Sequence, residues 1–181
     1  MIKELLDDAA TKMDGAVDHT AQEFATVRTG RANPGILHRI TVDFYGAQTP
    51  LQQIAGFSVP EARMLIVQPY DKSTIRAIER AIQEADLGLN PSNDGNIIRL
   101  AFPALTEDRR RDLIRVIRGL AEEWRIAIRN VRRHTKDDLE SLGESEDDIR
   151  RAEKALQELT DGHVGRLDEL VTHKEQELLE V

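Results

Sequence analysis

With 181 residues the chain has room for one domain or two small ones, and its 33 acidic against 25 basic residues leave a net charge of −8. Aromatic residues make up only 4% while 32% are charged, a balance that favours long helices on thin aliphatic seams over one thick core. The absence of cysteine excludes disulfides, thiolate metal sites and cysteine nucleophiles, and no apolar run approaches the length of a membrane span.

Residues 1–8 are acidic and amphipathic, unlike a signal or transit peptide, so a soluble cytoplasmic protein is expected. Residues 2–28 predict a helix, because Ile2, Leu5, Leu6, Ala9, Met13, Val17, Phe24 and Val27 recur largely at helical spacing. Thr29-Gly30 offers its stop. The β-branched, partly alternating run from Ile36 to Tyr45 then predicts a strand, bounded by Asn33-Pro34-Gly35 before it and Gly46 after. Further short strands are expected near residues 54–59, 64–67 and 97–102. Between the last two lies a helix over residues 73–85, with Ile75, Ile78, Ile82 and Ala85 on one face and Gly88 past its end. Residues 90–95, Asn-Pro-Ser-Asn-Asp-Gly, read as a turn-rich loop. Residues 31–104 thus form a compact α+β unit.

After Pro103, Thr106 with Glu107 and Asp108 reads as the capped, acidic first turn of a second long helix that runs to about Leu139. At about 100° per residue, its Arg111, Arg115, Arg118, Arg125, Arg129, Arg132, Arg133 and Lys136 fall within one arc. Leu113, Ile117, Leu120, Trp124, Ala127, Ile128 and Val131 fall on the opposite one. Residues 109–136 hold ten basic and three acidic side chains, a net of +7, whereas residues 137–181 hold five and fifteen, a net of −10. Arginine outnumbers lysine nine to one in the basic segment, which suits bidentate phosphate contacts and stacking on bases. Such a ridge is either a polyanion-binding face or a solvated face paired with acidic neighbours. Glu122 lies on it within reach of Arg118 and Arg125. One carboxylate cannot neutralise eight cations, which favours the polyanion.

Gly143 interrupts the pattern. Ser145, followed by Glu146, Asp147 and Asp148, starts a third long helix with the apolar row Ile149, Ala152, Leu156, Leu159, Leu167, Leu170 and Leu178. None of the three helices can bury its seam alone. The expected fold is therefore α+β with two domains: a long antiparallel three-helix bundle of residues 1–30 and 105–181, and a small β/α/β domain of residues 31–104 inserted between its first two helices. Two strands, residues 29–34 and 102–106, would form the joint. Thr29, Gly30 and Arg31 on one side and Pro103, Ala104 and Leu105 on the other would act as a hinge, although Gly and Pro there suit rigid corners equally well.

No phosphate-loop or dinucleotide fingerprint occurs. The five histidines, His19, His38, His134, His163 and His173, show no metal-ligand spacing, and His134 and His163 read as surface or interhelix residues. No catalytic residue, metal or cofactor is expected. Any energy input must come from a partner.

Four strings go further: Val27-Arg28-Thr29-Gly30-Arg31-Ala32-Asn33-Pro34, Asp86-Leu87-Gly88-Leu89-Asn90-Pro91, Leu105-Thr106-Glu107-Asp108-Arg109-Arg110 and Arg129-Asn130-Val131-Arg132-Arg133. Together, in this order and around a domain insertion, they resemble the ribosome recycling factor family over nearly the whole chain. The resemblance implies binding to the post-termination 70S ribosome at the subunit interface, with the bundle against large-subunit ribosomal RNA. It also implies splitting into subunits with elongation factor G and GTP hydrolysis by that partner, releasing mRNA and tRNA. It marks Arg132 as the arginine most closely tied to activity, and Arg28, Arg110 and Arg129 as further RNA contacts. Arg125, Arg133 and Lys136 join this set from the ridge. The corner at residues 141–148 is shorter than is common in the family, where extra basic residues often precede the Ser-Glu-Asp. The rival readings are a general RNA-binding or chaperone protein and a coiled-coil-like adaptor for acidic proteins. A monomer without membrane contact is expected.

Overall fold

The computed structural model describes residues 1–180, and the contacts divide it into two compact units: residues 1–28 with 107–179, and residues 29–106 with Glu180. In the first unit, α1 (Ile2–Thr26), α4 (Glu107–Glu140) and α5 (Glu146–Leu179) pack pairwise into a three-helix bundle. The seams are those the periodicity marks. Met13, Ile117, Ile128, Leu139, Leu167 and Leu178 are fully buried, and Leu156 nearly so. Ser145 caps α5 in the expected way: its Oγ accepts from the Asp148 N–H at 3.2 Å and donates to the Asp148 carboxylate at 2.6 Å.

Polar groups inside the bundle are matched across helices. Trp124 on α4 donates its indole N–H to Glu23 on α1 at 2.8 Å, and its ring stacks on His19 with centroids 5.2 Å apart. His163, on α5, is buried with both ring nitrogens engaged. Nδ1 lies 2.7 Å from the Leu159 carbonyl and Nε2 3.0 Å from Asp14 Oδ1 on α1, which also accepts from Arg166 at 2.6 Å. The hydrogen bond from Arg166, and next that from His163, hold the Asp14 carboxyl below its ordinary range. A depressed carboxyl stabilises the fold fully above its unfolded pKa, and that stabilisation disappears as pH falls through the folded value. Asp14→Asn is therefore expected to lose about 0.5–1 kcal/mol at neutral pH, kept small by the exposure of the site. Chemical denaturation of both proteins across the acid range should show the deficit shrinking toward zero as the wild-type carboxyl protonates.

The second unit carries the hairpin β1 (Thr41–Phe44) and β2 (Ala47–Pro50), the single turn α2 (Leu51–Ile54), and a four-stranded antiparallel sheet in the order β3-β4-β6-β5. Its strands are β3 (Ala55–Glu61), β4 (Met64–Pro69), β5 (Pro91–Asn93) and β6 (Ile98–Ala101), with α3 (Ile75–Glu84) between β4 and β5 in the chain. Leu37, Leu51, Leu65, Val67, Ile78, Ile82, Ile98 and Leu100 make one core.

Three local expectations are corrected here. The single strand over Ile36–Tyr45 is instead a 3-10 turn, Pro34–Leu37, followed by β1 from Thr41. Asn33 caps that turn by accepting from the Gly35 N–H at 2.8 Å, and Pro34 presets its first φ. The turn-rich loop at 90–95 contains β5, an edge strand where a proline is tolerated. The two joint segments are not strands: residues 29–33 and 102–106 are irregular, each tied to the β3–β4 turn by one bond, Ala32 N–H to the Ala62 carbonyl (2.7 Å) and Phe102 N–H to the Arg63 carbonyl (2.8 Å). β2 had no expectation at all. It exists because Tyr45 (φ 52°) and Gly46 (φ 86°) both take left-handed backbone and reverse the chain in two residues, with the Tyr45 hydroxyl donating to Asp71 at 2.6 Å.

Candidate nucleic-acid interface

The ridge forms as a ridge because α4 runs unbroken for 34 residues, so the arginine arc and the apolar arc keep their phase along its length. What the wheel of one helix cannot show is what the next helix brings to the same face. Arg118 donates to Glu175 of α5 at 2.6 Å, Arg125 to Asp168 of α5 at 2.6 Å and to Glu122 at 3.0 Å, and Lys136 lies 3.3 Å from Glu153 of α5. Within α4, Arg111 pairs with Glu107, Arg115 with Asp112 at 3.3 Å and Arg129 with Glu122 at 3.4 Å. The expectation of a single neutralising carboxylate is therefore wrong. The causes are Glu107 and Asp112 within α4 itself and the acidic side chains of α5, which cannot be placed from the α4 sequence.

Two ridge arginines keep their charge uncompensated. Arg132 donates to the neutral carboxamide oxygen of Gln157 at 2.8 Å, and Arg133 is exposed with no carboxylate within 4.0 Å among the described residues. Both open onto a groove of about 690 Å³ between α4 and α5. Arg129, Arg132, Arg133 and Lys136 come to it from α4, Arg150 and Lys154 from α5, and Glu153 is its one carboxylate. The buried Leu156 forms part of the lining. Six cations around a concave strip, with a single anion among them, make a site for closely spaced phosphates.

Arg150, Lys154 and Gln157 were missed in the sequence. Their spacing of four and three puts them on one face of α5, but the net −10 of residues 137–181 hides two cations that happen to point at the ridge.

The sequence model of the ribosome recycling factor family matches residues 20–179. The chain belongs to that family. Its likeness to ribosome recycling factors extends end to end: it is 54% identical to the ribosome-recycling factor of Acidothermus cellulolyticus and 52% identical to that of Shouchella clausii, each over the full length of both chains. Among solved structures it is similar to the solution structure of a ribosome recycling factor (TM-score 0.74, 40% identity, 99% of this chain and 98% of the other). It also resembles the Thermus thermophilus ribosome recycling factor placed with Escherichia coli elongation factor G on the E. coli post-termination complex (TM-score 0.63, 44% identity, 99% of each). Members of this family are translation factors without enzymatic activity of their own.

The remaining candidate residues, Arg125 from the ridge and the others from the family resemblance, are spread along the first unit and the connecting segments. Arg125 is on the ridge but outside the groove, its side chain only 21% exposed and held by two carboxylates. Arg110 lies half-buried in the first turn of α4, and Arg28 is exposed just past the end of α1. Thr29 is buried and Gly30 has a φ of 78°, whereas Arg31, Pro103 and Ala104 are exposed and Leu105 is half-buried. The structure thus brings together four of the seven candidate RNA contacts and leaves Arg28, Arg110 and Arg125 apart from them.

Proposed function

We propose that the α4–α5 groove is the surface by which this ribosome recycling factor holds large-subunit ribosomal RNA in the post-termination 70S ribosome. With elongation factor G and GTP hydrolysis by that partner, the protein splits the ribosome into subunits, and mRNA and tRNA leave. The observation that carries this reading is the convergence of six cations on one groove of a chain whose net charge is −8. Family membership and the relative seated on a post-termination complex with elongation factor G support it. Arg28 and Arg110 extend the contact beyond the groove, and the segments around Gly30 and Pro103 serve as the pivot for the inserted domain. The place of action is the cytoplasm; among the described residues no helix is long and apolar enough to cross a membrane.

The test is sedimentation of post-termination ribosomes with the protein, elongation factor G and GTP. Conversion of 70S particles to subunits is the expected result. An unchanged profile together with equal affinity for unrelated RNAs would transfer the chain to the class of general RNA-binding proteins. Salt dependence gives an independent number. With about five phosphates meeting the groove cations, and displacing carboxylates such as Glu122 and Glu158 from Arg129 and Lys154 into solvent, log affinity for the ribosome should fall against log salt with a slope of roughly 3.5–4.5. A slope near zero would remove the groove from the binding surface.

A further inference from the structure

Arg132 differs from its neighbours in the kind of partner that holds it. Arg129 faces Glu122, Lys136 faces Glu153, and Lys154 lies 3.9 Å from Glu158. Arg132 instead donates to Gln157 Oε1 at 2.8 Å, and the same carboxamide donates from Nε2 to Asp161 Oδ1 at 2.7 Å. The three side chains form a relay whose direction is forced. A guanidinium only donates and a carboxylate only accepts, so one orientation of the amide satisfies both ends and its flipped form satisfies neither.

We infer that Gln157 and Asp161 are positioning residues for the RNA contact of Arg132: Asp161 locks the carboxamide, and the carboxamide holds the guanidinium over the groove without neutralising it. This rests on Arg132 meeting RNA as proposed above. A carboxylate in the place of Gln157 would fix the arginine equally well but would compete with phosphate for it. An amide supplies the geometry and leaves the charge, while the anion that anchors the arrangement stays one side chain further away, outside the groove lining. Holding a flexible arginine in its working place before RNA arrives removes an ordering cost from the binding step.

The inference separates cleanly from electrostatics, because the two give opposite signs. Asp161 is an exposed carboxylate near a polyanion site, so by charge alone Asp161→Ala should tighten binding. By positioning it should weaken it. Affinity for 70S ribosomes at several salt concentrations would be measured for Arg132→Ala, Gln157→Ala, Gln157→Glu, Asp161→Ala and Asp161→Asn, with thermal melts to establish that each variant is folded. Gln157→Ala and Asp161→Ala are each expected to bind about three- to tenfold more weakly with an unchanged salt slope. Gln157→Glu should bind more weakly still, with the slope reduced by about one. Asp161→Asn, which keeps an oxygen acceptor for the Gln157 amide, should recover most of what Asp161→Ala loses. Binding by Asp161→Ala as tight as wild type, or an unaffected Gln157→Ala, would overturn the positioning role even where Arg132→Ala is impaired. An unimpaired Arg132→Ala would overturn the Arg132 contact itself and the relay with it.

Discussion

Arg132→Ala is expected to lower ribosome affinity by about 5- to 150-fold, the equivalent of one strong arginine contact to phosphate or base at about 1–3 kcal/mol. Subunit splitting at limiting protein should fall in step. The prediction rests on the state of charge along α4. Most arginines of the ridge already share their charge with a carboxylate, and an RNA phosphate would have to displace that partner, whereas Arg132 has only an amide beside it. Arg118→Ala is the internal comparison, since Arg118 is held by Glu175 outside the groove and its loss should matter far less. Stability should change by no more than about 0.5 kcal/mol, because removing Arg132 takes away one hydrogen bond at the groove and no core packing. Binding assays beside thermal melts check both statements. A variant that loses stability and affinity together would point to a packing role instead.

Leu156→Ala should behave in the opposite manner. Leu156 is 2% exposed and lines the groove from below while its side chain belongs to the bundle core. Truncating a buried leucine removes its transfer free energy and leaves a cavity that three packed helices close only in part. The expected cost is about 2–5 kcal/mol. For a chain of this size each kilocalorie lowers the melting temperature by about 2–4 °C, so the shift is large enough to read in one thermal scan. Below its own transition the variant should bind ribosomes with close to wild-type affinity and the same salt slope, since no charge has been altered. A melting temperature equal to wild type would mean that Leu156 does not fill the core in the way its burial indicates.

The contrast between these two residues, one helix apart, explains how far the sequence could be read. The seams of the three long helices were legible because a fixed period of 3.6 residues is a property of one helix alone. Met13, Ile117, Ile128 and Leu167 are buried as that period requires. Arg132 was legible in position and in family likeness, but its neutral partner was not: Gln157 is 25 residues away and meets it only through the packing of α4 against α5. The same is true of Glu175 and Asp168, which turn Arg118 and Arg125 of the apparent cation ridge into ion pairs. In the inserted unit, β4 and β6, with their aliphatic runs, and β3, flanked by Ile54 and carrying Phe57 and Val59, were found, whereas β2 and β5 were not. β2 is held by a Tyr-Gly reversal whose first residue carries no usual turn preference, and β5 begins with a proline. Pairing supplied there what local propensity withheld.

The distribution of aromatic side chains has a practical consequence. The chain's single tryptophan, Trp124, lies between α1 and α4, where it is bonded to Glu23 and stacked on His19, while both tyrosines, Tyr45 and Tyr70, belong to the inserted unit. Indole emission therefore originates only in the bundle, and the exposed phenols report only on the other unit. The two halves of the molecule carry separate optical labels by nature. Selective excitation of the indole, set against tyrosine absorbance, would reveal whether the units melt together or in turn, with no dye attached and no residue changed.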